Sequence, residues 1–507
     1  MRAIQNWRKW VVGLCVIGVL AWMVAALGVM PRMISNAYDG HRFGPLVQMM
    51  AHKEQHGLDH YQSKFFNLAL IALAFWVMGL LLPVATTSKW FEEKIVGRAT
   101  PGTIGAMRMF VCIIAISSAL KDNTLSAVKL VADGASPKSM GVMDLAYRLG
   151  FDHVVADYEM LMTFKVVTIA LLVIAGVGLF TRPMLILATL CYLLLGGVQR
   201  SFYWFNHTGL VPFFVLFVLC FVRCGDGFSL DRIIKIWRQK PVADPNESTR
   251  EYGWARWFVW LAICIPYIMA GLSKLTNGTL MWWDSKNLMA IIYRNALRPD
   301  AGSHGWVLET SIPEWFFAFA GISTILAEIG MVLCLVSRRA RSIFPPIAVA
   351  MHYGILKIML IPFYDLMLIQ ALFWDWRTIR MWFSNLLARR RPRWILLYDG
   401  NCPLCRRSVG ILSGIDLLKR MEFVSFRNVD FDRFNPSHNV SLTRERADSE
   451  MILVGHGKMW GGYDAYQQMT LMISLLIPIA PLMWLPGISH IGRAIYAWVA
   501  KNRLSFF

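Results

Sequence analysis

Residues 394–405 read Trp-Ile-Leu-Leu-Tyr-Asp-Gly-Asn-Cys-Pro-Leu-Cys. The first five residues are an apolar run, the Asp-Gly pair is a turn signal, and the segment from the first cysteine has helical character to about Lys419. Short strands are predicted at 422–426, 450–454 and 458–461, the last two joined by a Gly-His-Gly turn. A βαβ unit followed by a β-hairpin and a helix, with C-x-x-C at the first helix N-terminus, predicts a thioredoxin-like α/β domain.

The spacing of Cys402 and Cys405 suits thiol–disulfide chemistry. Two thiols three residues apart at the start of a helix can close an intramolecular disulfide. The helix dipole and the free N–H groups of the first turn favour the thiolate form of the first sulfur. We therefore expect Cys402 to be the nucleophile and Cys405 the resolving thiol. The alternative is half of a zinc knuckle, but no second pair of Cys or His is apparent in this domain.

The motif from Tyr398 to Cys405, with Gly461-Gly462 and the ending from Ile495 to Arg503, resembles the DCC family of thiol-disulfide oxidoreductases. The resemblance covers the last part of the chain, residues 394–507. It implies a thioredoxin-like fold and assigns Asp399, Cys402 and Cys405 to the active site. One departure is that the proline which most thioredoxins place ahead of the third strand is not apparent before Glu450.

The rest of the chain has the composition of a membrane protein. Of its 507 residues, 56% are hydrophobic and 16% are charged, which excludes disordered, collagen-like and disulfide-stapled secreted classes. Its apolar segments are long enough to predict about ten membrane spans, three of them short. The expected fold class is thus a polytopic α-helical membrane protein with a C-terminal thioredoxin-like α/β domain. The segments are 11–30, 65–87, 109–120, 166–181, 183–199, 201–222, 257–273, 315–336, 343–356 and 366–374.

The formal net charge of +19 would suggest a nucleic-acid partner in a soluble protein. Here the basic clusters 232–240, 337–341 and 389–393 all fall on one side when the ten segments alternate from an inside N-terminus. By the positive-inside rule, we expect a multi-pass protein whose two termini and redox domain are cytoplasmic, and no nucleic-acid partner. In a reducing cytoplasm, a C-x-x-C motif is more often catalytic than structural.

Polar residues within the membrane segments point to a second candidate site. Asn206 and His207 lie near the outer start of the sixth segment and Lys274 at the outer end of the seventh, and antiparallel neighbours would bring these ends together. A lysine beside apolar walls can act as a base, and a nearby His or Asn can stabilise a developing anion. The alternative is a snorkelling lysine with an interfacial histidine.

The order and spacing of motifs over residues 90–385 resemble the HTTM family, the transmembrane domain of vitamin K-dependent gamma-carboxylases. The resemblance implies that Lys274 is the base that deprotonates a vitamin K hydroquinone and that Asn206 and His207 act in the carboxylation step. A vitamin K-like quinone is then the candidate cofactor. Because the lumenal propeptide-binding domain of the animal enzyme is absent, carboxylase activity does not follow. The motifs are Phe205 to Leu210, Gly225 to Arg232, Tyr267 to Leu275, Ala327-Glu328 and His352.

Two further groups of residues have both a structural and a functional interpretation. Glu328 and His352 lie within separate membrane segments and could form a structural pair or a proton relay. His52, His56 and His60 would line one face of a helix and could bind zinc or copper, but their charged neighbours favour an ordinary interfacial helix. We assign no metal site.

The sequence thus predicts three parts: N-terminal membrane helices with an outer histidine-containing loop (1–89), the carboxylase-like membrane domain (90–385) and the redox domain (394–507). The first hypothesis is a membrane redox enzyme that exchanges disulfides with a thiol partner protein and binds a quinone or lipid-like substrate in membrane lipid. The second is base-catalysed modification of a peptide or lipid at Lys274 and His207, with the redox domain regulatory. The third is a non-catalytic membrane scaffold.

Overall fold

The computed structural model describes most of the chain, with short gaps. The described residues are 2–40, 57–86, 88–121, 123–137, 141–202, 209–244, 247–278, 282, 284–297, 307–308, 310–390 and 393–503. These residues are mostly helical, with one small sheet near the C-terminal end.

The α-helices before residue 393 differ widely in length. Some continue through short π or 3-10 turns, such as the π turn Ala25–Val29 between the first two helices. In chain order they are α1 (Arg2–Val24), α2 (Met30–Tyr38), α3 (Leu58–Thr86), α4 (Pro101–Lys121), α5 (Ser126–Ala132), α6 (Val142–Ala146), α7 (Asp152–Ala156), α8 (Tyr158–Val177), α9 (Thr181–Phe202), α10 (Leu210–Cys220), α11 (Leu230–Trp237), α12 (Arg250–Gly278), α13 (Ser285–Ala296), α14 (Glu314–Gly330), α15 (Arg338–Met359), α16 (Tyr364–Ile369) and α17 (Trp376–Arg390).

Seven helical segments in the described residues are long and apolar enough to cross a membrane, which indicates a membrane protein. The predicted count of about ten is not confirmed. Three of the ten predicted segments, 65–87, 201–222 and 366–374, have no counterpart among the seven, and the described helices at the last two, α10 and Tyr364–Phe373, are shorter than a span. Two segments that looked short in the sequence belong to full-length helices, α4 and α15. The seven are Gly13–Tyr38, Pro101–Lys121, Tyr158–Val177, Thr181–Phe202, Arg250–Leu275, Glu314–Leu335 and Arg338–Met359.

The chain divides into two compact units. The first comprises residues 1–97, 269–288 and 314–325, and the second comprises residues 98–268, 289–313 and 326–507. In the first unit, α1 packs along α3, and the Trp22 indole N–H donates to the carbonyl of Ala69 at 2.8 Å. Gly18 faces the ring of Trp76, where any side chain would collide with the indole.

A fully buried arginine organises the second unit. Arg108 lies inside α4, and its guanidinium donates to the backbone carbonyls of Cys224 at 2.7 Å, of Gly176 at 3.2 Å and of Phe228. These carbonyls belong to the end of α8 and to the loop between α10 and α11. A buried charge needs such partners, so Arg108 fixes this loop against two helices.

The first turn of α11, which follows this loop, caps a further helix. The carboxylate of Asp231 accepts the backbone N–H groups of Phe180 and Thr181 at 2.8 and 2.7 Å, and also the Thr181 hydroxyl at 2.7 Å. An anionic acceptor at the start of α9 satisfies N–H groups that the helix leaves free and complements its dipole. The start of α11 is thereby tied to the start of α9.

The C-terminal sheet has the topology predicted from the sequence. Its strands are β1 (Trp394–Tyr398), β2 (Met421–Ser425), β3 (Ile452–Gly455) and β4 (Lys458–Gly461), in the order β2-β1-β3-β4. β1 is parallel to β2 and antiparallel to β3, and β3 is antiparallel to β4. The helices are α18 (Pro403–Ile415), α19 (Phe431–His438), α20 (Arg444–Ser449), α21 (Gly462–Met472), α22 (Ala480–Met483) and α23 (Pro486–Asn502).

Alternation along the strands builds a core on each side of the sheet. Leu396 and Leu453 point to one side, where Val409 of α18 and Met469 of α21 pack against them. The neighbouring residues of both strands point to the other side, towards α19 and α20. The second core contains Leu397, Phe426, Leu442, Ala447, Ile452 and Val454.

The helix that follows the cysteine pair lies against α11. At Gly410 of α18, an added Cβ would come within 2.9 Å of the Ile236 side chain. The Arg407 guanidinium carbon lies 5.8 Å from the centre of the Trp237 ring, within cation–π range. The C-terminal domain is therefore packed on a helix that belongs to the membrane part of the same unit.

The backbone contact of α4 with the 224–231 loop yields a first prediction. A Cβ at Gly105 would collide with the carbonyl oxygen of Gly227, so Gly105→Ala should destabilise the protein by about 1–3 kcal/mol, as overpacking does. Gly354→Ala is the matched control, because Gly354 lies inside α15, where an added Cβ would meet nothing within 4 Å. Thermal unfolding of detergent-purified protein should show a lower Tm for Gly105→Ala only; equal Tm values would contradict the tight contact.

Candidate functional site

The two cysteines of the C-x-x-C motif lie at the N-terminus of α18. Cys402 is the N-cap residue, Pro403 follows at the first helical position, and the Cys402 Sγ accepts the backbone N–H of Cys405 at 3.4 Å. Both are free thiols in this structure. Their exposed fractions are 0% for Cys402 and 6% for Cys405. The first sulfur therefore takes the place of the oxygen acceptor that usually caps a helix.

The turn before the helix is held by Asp399. Its carboxylate accepts the N–H of Asn401 at 2.9 Å, and its backbone carbonyl accepts the N–H of Cys402 at 3.2 Å. Gly400 lies so close to Ser425 that an added Cβ would be 2.6 Å from the serine hydroxyl. The Asp-Gly pair thus fixes where the chain leaves β1 and where the first cysteine begins the helix.

An ion pair with Arg427 holds the Asp399 carboxylate. The Arg427 Nε donates to one carboxylate oxygen at 2.7 Å and an Nη donates to the other at 3.2 Å. Asp399 is buried. The hydrogen bonds from Arg427 hold the pKa of the Asp399 carboxyl below its usual range, so the carboxylate stays ionised at neutral pH. Its lone pairs are then available to the turn and to the arginine.

The ion pair continues towards the C-terminal end of the chain. Arg427 also lies 3.6 Å from the carboxylate of Asp448, and Arg503 approaches the same carboxylate at 3.9 Å. The Arg503 guanidinium in addition donates to the backbone carbonyls of Asp448 and Ser449. Asp399, Arg427, Asp448 and Arg503, from four separate segments, therefore form one charged cluster beside the cysteine pair.

The environment of Cys405 disfavours its thiolate form. Burial, and then the neighbouring Cys402 sulfur, raise the pKa of the Cys405 thiol to about 12. At neutral pH Cys405 is therefore a thiol, which suits the second step of an exchange reaction better than the first.

Two tyrosines cover the backbone just before β3. The Tyr496 hydroxyl of α23 accepts the N–H of Met451 at 3.0 Å, and the Tyr466 hydroxyl of α21 contacts the Met451 sulfur at 3.3 Å. The two rings are 6.0 Å apart. Glu450 and Met451 thus occupy the place ahead of the third strand where the sequence showed no proline.

Arg427 and Tyr496 were not among the residues predicted from the sequence. Arg427 could have been found from the strand pairing, because Tyr398 of β1 pairs with Ser425 of β2 in parallel. Residues that follow two parallel neighbouring strands lie at the same edge of the sheet. Asp399 follows β1 and Arg427 comes shortly after β2, so the two meet there. No comparable sequence pattern indicates Tyr496, since its partner Met451 is 45 residues away in the chain.

The predicted membrane site is only partly covered by the described residues. Asn206 and His207 lie outside them, so their proximity to Lys274 stays a prediction. Lys274 is half-buried near the end of α12, with its Nζ 5.2 Å from the centre of the Trp282 ring. Lys274 and Trp282 both belong to the first unit.

A buried hydrogen-bonded chain lies within the second unit. The Tyr267 hydroxyl is 2.9 Å from Nε2 of His352 and accepts a hydrogen bond from the Gln370 amide at 2.8 Å. The His352 ring also packs against Phe363, with centroids 5.2 Å apart. Glu328, the other member of the predicted pair, is likewise buried. The sequence did not suggest Tyr267 or Gln370 as a partner of His352.

Nothing in the described part of the chain resembles a metal centre. No group of three or more His, Cys, Asp or Glu residues is placed there to hold an ion. Of the three histidines with helical spacing, His52 and His56 lie outside the described residues. His60 is at the start of α3, with its ring edge-on to Tyr61 at 5.5 Å.

A C-x-x-C pair at the first helix of a βαβ unit, followed by a β-hairpin and a helix, defines the class of thiol–disulfide exchange domains. In agreement, residues 396–507 match the family described as DCC1-like thiol-disulfide oxidoreductase. The expected family of the C-terminal part is thereby confirmed. Searches of curated proteins and of solved structures gave no match. The HTTM resemblance of residues 90–385 has no counterpart among these findings.

The Asp399–Arg427 pair yields a second prediction. Arg427→Ala leaves a buried carboxylate without its arginine partner, so the variant should unfold at a lower temperature than wild type at pH 7. The folded-state pKa of Asp399 is depressed, so this stabilisation is present above the unfolded pKa and lost as the pH falls below about 4. The Tm difference should shrink over that range.

Arg433→Ala is the control for this experiment, because Arg433 makes an exposed ion pair with Asp430 in the same domain. Differential scanning fluorimetry across pH compares the three proteins. A Tm loss for Arg427→Ala that is no larger than that for Arg433→Ala would contradict the stabilising role of the pair.

Proposed function

We propose that the protein is an integral-membrane thiol–disulfide oxidoreductase whose catalytic residues are Cys402 and Cys405, with Asp399 as a positioning residue. The observation that carries this proposal is the Cys402 Sγ at the N-cap of α18, where it accepts the Cys405 N–H and faces the positive end of the helix dipole. The substrate is a disulfide or dithiol of a partner protein.

The exchange takes two steps. The Cys402 thiolate attacks one sulfur of a substrate disulfide, forms a mixed disulfide and releases the other substrate sulfur as a thiolate, which takes up a proton. Cys405 then loses its proton and attacks the Cys402 sulfur, which closes the Cys402–Cys405 disulfide and releases the second substrate thiol. Two electrons pass from the dithiol to the substrate. The same steps in reverse oxidise a substrate dithiol.

Asp399 and Arg427 would serve this reaction by holding the backbone. The Asp399 carboxylate accepts hydrogen bonds from Arg427 and from the Asn401 N–H. It therefore fixes the turn that sets the direction of the Cys402 side chain. Arg503 adds a positive charge that lowers the pKa of Cys405 against the effect of burial. This charge favours the deprotonation on which the second step depends.

We propose that the redox domain and both termini are cytoplasmic, and we retain the division into 1–89, 90–385 and 394–507. Two facts support the location. The basic cluster 232–240 begins within α11, and α11 packs against α18, so the redox domain lies on the side of that cluster. Cytoplasmic loops carry the excess of Lys and Arg in membrane proteins.

The buried chain His352–Tyr267–Gln370 favours a second candidate function. Polar groups inside a membrane domain are costly and commonly serve a substrate or a proton. We propose that the membrane part binds a quinone or lipid-like molecule, with Lys274 as the base and Asn206 and His207 beside it. Base-catalysed modification of a peptide or lipid would use the same residues.

The cysteine pair gives the third prediction. In a disulfide reductase assay on the reconstituted full chain, Cys402→Ser should abolish turnover, because the nucleophile of the first step is lost. Cys405→Ser should retain the first step and accumulate a mixed disulfide, which intact-protein mass spectrometry detects. Cys191→Ser, in α9 and outside the site, is the control and should keep wild-type turnover. Turnover by Cys402→Ser, or a wild-type pair that cannot cycle, would reject the proposal and favour a non-catalytic scaffold.

Lys274 gives the fourth prediction. Mass spectrometry of small molecules extracted from purified protein should find a quinone or lipid-like compound in the wild type, and several-fold less of it after Lys274→Ala. The exposed Lys286 of α13 provides the control, Lys286→Ala, which should carry the wild-type amount. The Cys402–Cys405 pair should stay titratable in both variants. Equal amounts in all three proteins would rule out Lys274 as part of a binding site.

A further inference from the structure

One face of helix α23 packs against the rest of the redox domain. Ser489 accepts a hydrogen bond from the Gln467 amide at 2.9 Å, and its hydroxyl lies 3.2 Å from the Met483 carbonyl. Gly492 lies against the ring of Tyr463, where any side chain would collide. One turn further, the Tyr496 hydroxyl accepts the Met451 N–H. The packing and hydrogen bonds of this inner face fix the orientation of the helix.

A neighbouring face of α23 is apolar and exposed. Ile491, Ile495 and Trp498 have 61%, 57% and 59% of their surface exposed, and Ile488 continues the row. The spacing of three, four and three residues places all four on one stripe of the helix. We call these four residues the outer face of α23. Leu482 and Leu485, which precede the helix, are also more than half exposed.

The segment before α23 is also apolar and exposed. Helix α21 and the following segment Ser474–Met483 together are apolar enough for a membrane span, but they are bent by 114° at the break between them. Pro478 and Pro481 lie within this stretch, and the chain cannot run straight through a bilayer there. An apolar segment that is bent in this way suits the plane of a membrane interface.

We propose that the outer face of α23 and the adjoining 474–485 segment insert into the lipid interface of the membrane that the same chain crosses. Three observations favour lipid as the occupant. The spanning helices keep a bilayer within reach of this domain at all times. Trp484 and Trp498 are exposed in the patch, and tryptophan is enriched at membrane interfaces. His490 and Lys501 are exposed on α23 beside the stripe and can meet anionic headgroups.

This docking adds a second attachment to the one made by α11. The inner face of α23 holds Tyr496 against Met451, next to the cysteine pair, while the outer face lies in lipid. The orientation of the redox domain relative to the bilayer is then fixed by the domain itself. The proposal does not depend on thiol exchange, so its failure and that of the oxidoreductase proposal are distinguishable.

Site-specific photo-crosslinking of the full chain tests the proposal. A benzophenone amino acid replaces Ile491 or Ile495 in protein reconstituted into phosphatidylcholine–phosphatidylglycerol nanodiscs. The same probe at Val173, an exposed apolar position of the spanning helix α8, is the positive control, and at Arg433, on the polar surface of α19, the negative control. Mass spectrometry identifies the adducts.

Lipid adducts at Ile491 and Ile495, several-fold above those at Arg433, are the expected result. Adducts with a second copy of the chain would overturn the proposal in favour of a dimer interface. Adducts at Val173 without any at Ile491 and Ile495 would also overturn it. Each labelled protein is checked for wild-type Tm, and since both positions are exposed, the probe has room at either site.

Discussion

The buried charge of Arg108 is the interaction on which the second unit depends. A guanidinium placed inside a spanning helix is costly, and the hydrogen bonds that it donates to backbone carbonyls at residues 176, 224 and 228 offset that cost. The carbonyls at 224 and 228 can be reached only if the loop between α10 and α11 closes against α4, where Gly105 and Gly227 allow backbone contact. Asp231 then extends the same loop to the start of α9.

This arrangement also determines where the redox domain lies. The loop leads directly into α11, and α11 is the surface on which α18 rests through Ile236 and Trp237. A single stretch of chain thus joins a buried membrane arginine to the helix that begins at the cysteine pair. The lipid contact proposed for α23 would hold the same domain at a second point, so that its position is defined by two contacts and not by a flexible linker.

Local signals in the sequence were enough for the sheet. The apolar run of β1 and the hairpin strand β4 have the predicted bounds, Trp394–Tyr398 and Lys458–Gly461, because a turn residue marks each end. The cysteine pair was found for the same reason, since its chemistry requires only three residues of spacing. The pairing of Asp399 with Arg427 depends on two strands meeting in register, and a single sequence gives no direct measure of that contact.

The membrane spans were harder to predict, because contacts that are distant in sequence help decide which segments are long helices. Arg108 interrupts the apolar stretch, so the segment 109–120 looked too short, whereas α4 continues through the arginine because its charge is satisfied internally. Conversely, 201–222 looked long enough to span, but its described helix, Leu210–Cys220, is short. Hydropathy measures transfer into lipid and does not include hydrogen bonds made inside the protein.

The complete burial of the Cys402 sulfur has a kinetic consequence. A dissolved disulfide cannot reach a sulfur that has no exposed surface until the fold opens locally, so the free energy of that opening enters every exchange rate. Small-molecule thiols such as glutathione then equilibrate with the pair slowly, even where exchange is thermodynamically favourable. A partner that stabilises the open form gains access that the bulk thiol pool lacks, and the pair can hold a redox state of its own between encounters.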